Sequence, residues 1–85
     1  MTSVKNIENK AYIIVDGMAF EIISGPKNKI LVTDLNDLKN KASFTEINGS
    51  LALVSSSFKD IIREENLNRI VNNNEKRLLE GLKNA

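Results

Sequence analysis

The chain has 85 residues, twelve of them basic and eleven acidic, a net charge of +1, and neither cysteine nor histidine. That length holds a single domain, 1–85, whose one core leaves a margin of only about 3–5 kcal/mol. The composition excludes disulfides, Cys/His zinc sites and any Ser–His–Asp or Cys–His triad within the chain. Small domains without such staples often gain stability by self-association, so a homo-oligomer is expected.

Charge is even along the chain. Residues 1–56 carry six basic and six acidic side chains, and residues 57–85 carry six and five. A non-specific nucleic-acid binder needs a basic excess, because phosphate neutralisation supplies most of its affinity. No apolar run approaches the roughly 18 residues of a membrane span. Residues 1–10 lack the apolar stretch of a secretory leader, so a cytoplasmic location is expected.

Residues 1–10 show no clear periodicity and read as a mobile arm or lead-in to a β-rich part, 11–56. Its clearest signal is Ala11-Tyr12-Ile13-Ile14-Val15-Asp16-Gly17-Met18-Ala19-Phe20-Glu21-Ile22-Ile23. Asp-Gly between two β-prone runs marks a two-residue hairpin turn. The turn sets Val15 opposite Met18, Ile13 opposite Phe20 and Ala11 opposite Ile22, all on one apolar face. Tyr12, Ile14, Ala19, Glu21 and Ile23 share the other, mixed face, which is expected to be partly covered or used for contact.

Residues 24–29 form a loop by composition, and Ile30-Leu31-Val32 is a candidate third strand. Thr33 or Asp34 then looks like the cap of a short helix carrying Leu35, Leu38 and Ala42 on one face and ending near Ser43. Asn48-Gly49 marks a second hairpin, with Phe44, Glu46, Leu51 and Leu53 on one face and Thr45, Ile47, Ala52 and Val54 on the other. Its mixed faces suggest cover on both sides.

Residues 57–85 read as a helical tail. Ser57-Phe58-Lys59-Asp60 fits a capping box with Asp in place of Glu. Phe58, Ile61 and Ile62 form one stripe. Leu67, Ile70, Val71, Leu78, Leu79 and Leu82 fall on nearly the opposite side. The run Asn72-Asn73-Asn74 is a poor helix interior and can instead cap a new helix at Glu75. Gly81 suggests fraying. The expected fold is α+β: two β-hairpins in one antiparallel sheet, room for one extra short strand, one short helix between the hairpins, and the tail.

The functional candidates follow from these elements. Asp34 with Asp37, and Asp60 with Glu64, are carboxylate pairs at helical spacing, which caps and solvated faces produce routinely. Residues 34–38 lack the alternating ligands, central Gly and terminal Glu of a calcium loop. Residues 25–29 lack the second Gly and Lys-Ser/Thr pair of a phosphate loop. No catalytic group, metal site or cofactor is expected, and no motif carries a family resemblance.

With Phe58, Ile61 and Ile62 assigned to cover the sheet, Leu67, Ile70, Val71, Leu78 and Leu82 become the candidate interface for a partner or a second copy, unless a bend at Asn66 lets one core absorb both stripes. The leading functional expectation is a small non-enzymatic protein-binding regulator, accessory protein or inhibitor. Size and composition fit a phage or mobile element. The alternative is a nucleic-acid-binding regulator using Lys27, Lys29, Arg69, Lys76 and Arg77. A third reading is a structural subunit of a larger assembly whose strand edges neighbours complete.

Overall fold

A computed structural model describes residues 2–7 and 10–83, the side chain of Lys83 excepted. The strands are β1 (Thr2–Ile7), β2 (Lys10–Val15), β3 (Met18–Ser24), β4 (Lys29–Asp34), β5 (Lys41–Ile47) and β6 (Ser50–Ser56). Two helices follow, α1 (Ile61–Asn73) and α2 (Glu75–Lys83). The strands form one antiparallel meander in the order β1-β2-β3-β4-β5-β6. Both helices lie on the same face of it.

The two hairpin turns form where the dipeptides require. Asp16 and Gly17 have φ of 47° and 79°, and Asn48 and Gly49 have 52° and 84°. Positive φ at both central positions matches the right-handed twist of the flanking strands. The β2–β3 register pairs Val15 with Met18, Ile13 with Phe20 and Ala11 with Ile22. Ala11, Ile13, Phe20 and Ile22 are fully buried and Val15 nearly so.

The architecture differs from the expected two hairpins with a helix between them. Strands dominate, and among the described residues no helix precedes residue 61. Residues 30–32 lie in a full strand, with Ile30 and Val32 turned into the core. That alternation continues to Asp34, so the residue expected to cap a helix is the last buried residue of β4. Asp37 N–H donates to the Asp34 carbonyl (3.2 Å) and Asn40 N–H to the Asp37 carbonyl (2.9 Å), closing tight turns. Ala42 and Phe44 alternate inward on β5, leaving Leu35 and Leu38 exposed. Three apolar residues were too short a helical stripe to compete with strand pairing on both sides.

The expected arm is also a strand. Thr2 through Ile7 pair with Val15 back to Lys10. Met1, Glu8 and Asn9 lie outside the described residues. Thr2-Ser3-Val4-Lys5-Asn6-Ile7 shows little apolar alternation, but β2 offers it a row of backbone partners, and Val4 packs against the core.

In the tail the two stripes exchange roles. Leu67, Ile70, Val71, Leu78 and Leu79 are buried against the sheet, whereas Ile61 and Ile62 are each 71% exposed. Phe58 is buried just ahead of α1. Asp60, not Ser57, caps α1, and its carboxylate accepts from the Arg63 N–H at 3.1 Å. Ser57 instead clips the β4–β5 connection to the end of β6, accepting from Lys41 N–H (2.9 Å) and donating to the Lys39 carbonyl (2.8 Å).

The asparagine run does break the helix. Asn74 leaves helical geometry, its side-chain amide donates to the Ile70 carbonyl (2.8 Å), and α2 starts at Glu75. Gly81 does not fray the end. It lies within α2 where the Asn6 side chain of β1 approaches so closely that a Cβ would collide with it.

Candidate binding surface

Because both helices cover one face, strand alternation fixes what the other presents. Register places Ser3, Lys5 and Ile7 of β1 beside Ile14, Tyr12 and Lys10 of β2. Ile14, Tyr12 and Lys10 in turn pair with Ala19, Glu21 and Ile23 of β3. Glu21 and Ile23 pair with Thr33 and Leu31, and Thr33, Leu31 and Lys29 pair with Lys41, Ser43 and Thr45. Ser43 and Thr45 pair with Ser55 and Ala52 of β6. The uncovered face is therefore a lawn of aliphatic, hydroxyl and lysine side chains around one tyrosine.

Several of these aliphatic groups meet water. Ile7 is 57% exposed, Ile14 40% and Leu31 38%. Toward β6 the face dips into an open trough of about 630 Å³, lined on this side by Ile23, Leu31, Thr33, Lys41, Ser43 and Ser55. A bulge between β5 and β6 adds curvature there. Phe44 pairs with Leu53 and Ser43 with Ser55, so Val54 is the extra residue and stands exposed. The Ser43 and Ser55 hydroxyls bond to each other across the trough wall at 2.7 Å.

The charge on this face is one-sided. Lys5, Lys10, Lys29 and Lys41 are all exposed, and among the described residues the only carboxylate in their face is Glu21. Glu21 is already engaged by the Tyr12 hydroxyl at 3.3 Å and the Lys10 ammonium at 3.7 Å. A chain that is electrically balanced in sequence thus folds into one with a basic open face.

The fully buried carboxylate lies on the opposite side. Asp34 is 0% exposed. It accepts from Arg63 of α1 through Nε at 2.5 Å and Nη2 at 2.9 Å, from the Asn36 N–H at 2.9 Å and from the Asn40 amide at 3.3 Å. Burial pushes its pKa up, but the Arg63 hydrogen bonds, then those from Asn36 and Asn40, outweigh that and hold it below 3.8. Asn36 extends the network, accepting from the Ala19 N–H at 3.0 Å beside the β2–β3 turn. Arg63 also lies over the Phe20 ring, 5.7 Å from its centroid. With no buried side-chain polar atom left unpartnered among the described residues, this cluster is a clamp between α1 and the sheet.

The sequence-based candidates scatter. Leu67, Ile70, Val71 and Leu78 belong to the core of the single chain, and Leu82 packs against it half-buried. They are spent on the chain's own sheet, so the surface assigned to a partner is not presented to one. Lys27 sits in the β3–β4 turn and Lys29 begins β4, and a small cavity of about 170 Å³ separates this end from Leu79 and Leu82 of α2. Lys76 and Arg77 are exposed on α2 between Glu75 and Glu80, and Arg69 on α1 bonds Asn66 at 2.7 Å. Of the basic candidates, register places Lys29 alone on the open face.

Lys5, Lys10, Tyr12, Leu31 and Lys41 were missed as site residues. The mixed face of the first hairpin was the available signal, since it already grouped Tyr12, Ile14, Glu21 and Ile23. Adding Lys5 and Lys41 required the pairings of β1 and of β4 with β5.

Among the described residues no group of three or more Asp or Glu is placed to hold a metal ion, and no helix is long and apolar enough to cross a membrane. Compared with protein-family models, with curated proteins and with solved structures, the chain matches none.

Proposed function

We propose that this chain is a small protein-binding domain that acts on its partner by docking, as a regulator or accessory factor, and catalyses no reaction. The observation that carries the reading is the uncovered sheet face, where Ile7, Ile14 and Leu31 stay exposed beside an open trough. Exposed apolar side chains beside such a trough, with Ile23 and Leu31 as direct cross-strand neighbours, are a mark of an interaction site. The buried ion pair supports the non-catalytic part, since Asp34 is enclosed by its structural partners.

The test is affinity capture from an extract of the cell that makes the protein, with the folded chain and its Leu31→Asp variant as parallel baits. Circular dichroism must first show both folded. Proteins held by the first bait and lost from the second identify the partner through this face. An identical retained set on both baits sinks the reading.

A nucleic-acid-binding reading is favoured by Tyr12 between Lys5 and Lys10. It rests on a single aromatic whose hydroxyl is tied to Glu21, whereas stacking surfaces for single strands use several. The assembly-subunit reading is opposed at β6. Leu51 faces Glu46 in a non-hydrogen-bonded pair, so its N–H points away from β5, and the Glu75 carboxylate accepts it. That bond and the bulge at Val54 obstruct the edge another strand would need.

A further inference from the structure

We infer that the partner element recognised by the open face is an acidic amphipathic helix, laid across β2 to β5 with its apolar stripe on Ile23 and Leu31 and its carboxylates against Lys5, Lys10, Lys29 and Lys41. This rests on the docking reading above and names the chemistry of the occupant.

Three observations converge on it. The first is charge complementarity: lysines rim the face, and its one carboxylate among the described residues, Glu21, is held by Tyr12 and Lys10. An approaching anionic segment is steered toward such a field, and a basic one is turned away. The same charges oppose a face-to-face pairing of two copies, which would set lysine against lysine.

The second is the apolar centre. Ile23 and Leu31 are direct cross-strand neighbours, and Leu31 pairs onward with Ser43 on the trough wall. Aliphatic side chains offer packing to leucine-like anchors and no π face to a base. The lysine stems can lie along those anchors while their ammonium groups reach carboxylates at the rim.

The third is the architecture. The covered face already shows what this sheet accepts: helices presenting Leu67, Ile70, Val71 and Leu78. A helix on the second face completes a three-layer arrangement with the sheet buried on both sides.

The test is an NMR titration of the full chain, labelled with ¹⁵N, against synthetic helical peptides. The probe peptide carries a leucine stripe flanked by glutamates. A second peptide has the same stripe flanked by lysines, and a third ligand is single-stranded oligothymidylate. The expected result is that the acidic peptide shifts the amides of Tyr12, Ile23, Leu31 and Ser43, binds roughly tenfold more weakly to a Lys5→Glu/Lys41→Glu double variant, and weakens with salt. Lys10→Gln/Lys29→Gln provides a milder second variant should the charge reversal disturb folding.

Equal binding of the lysine peptide overturns the inference. So do tighter binding of the oligonucleotide, shifts confined to the exposed Ile61 and Ile62, self-association through this face, or no shift at millimolar peptide. If Leu31→Asp abolishes partner capture while the acidic peptide fails to bind, the docking reading stands and the partner chemistry is wrong. If both fail, the docking reading falls with it.

Discussion

Both faces of this sheet carry aliphatic side chains, and their fates are opposite. One carries Ile13, Phe20, Ile22, Val32 and Phe44 and is sealed by α1 and α2; the other carries Ile7, Ile14, Ile23 and Leu31 and is open. The difference lies in how many aliphatics each face has and in what accompanies them. The sealed face adds phenylalanines, which bury large areas and fill space between layers. Its buried charge, Asp34, is matched by Arg63 from the covering helix. The open face adds lysines, for which no carboxylate of α1 or α2 is at hand. Burial here follows from whether an element of the same chain supplies both apolar contact and charge compensation.

The most severe way to break that contrast is to strip the cover. A chain ending at Asn66 loses Leu67, Ile70, Val71 and Leu78, so both faces become solvent-exposed. We expect it to give no cooperative thermal transition by circular dichroism, while the full chain gives one.

Next in size is the clamp. Asp34→Ala leaves Arg63 without its carboxylate partner and deprives Asn36 and Asn40 of their acceptor. Breaking a buried pair from one side costs about 3 kcal/mol or more, against a total of the same order in a domain this small. Urea denaturation at neutral pH should show the variant largely unfolded.

The clamp is also acid-sensitive. The folded-state pKa of Asp34 is depressed, so its stabilisation is complete above the ordinary carboxyl value of 3.8 and is lost as pH falls through the lower folded-state value. The stability gap between the native chain and Asp34→Asn should therefore narrow as pH is lowered from 7 to below 4. A gap that widens on acidification would contradict the network.

A smaller effect belongs to the rim of the sheet. Glu75→Ala removes the acceptor of the outward Leu51 N–H and should cost about 1–2 kcal/mol. It should also expose the β6 edge, which analytical ultracentrifugation would register as association. The smallest effect is expected at Ile61 and Ile62. At 71% exposure each, their double change to Ser should move stability by less than about 0.5 kcal/mol, a result that sharpens the contrast with Leu67 and Val71 in the same helix.

The hairpins were legible because their information is local. Asp16-Gly17 fixes the turn and therefore the register, and Ile13–Phe20 and Ala11–Ile22 follow by counting. The helix break at Asn74 was legible for the same reason. The candidate site was half legible: Tyr12, Ile14, Glu21 and Ile23 share a face by alternation alone, and Lys10 extends that alternation. Its remaining lysines come from β1, β4 and β5, whose pairing no short stretch encodes.

Short-range physics alone dictates an α+β chain without thiol or imidazole chemistry, two tight turns, and two apolar stripes in the tail. The tertiary structure decided which stripe is core. Leu67, Ile70 and Val71 won over Ile61 and Ile62 because the Asp34–Arg63 pair, 29 positions apart, pins the start of α1 with its later turns over the sheet. Folding likewise turned residues 35–40 into a connection, since β4 and β5 pair from both sides of it. It also gathered lysines from four strands onto one face, because strand register brings together residues that the sequence keeps far apart.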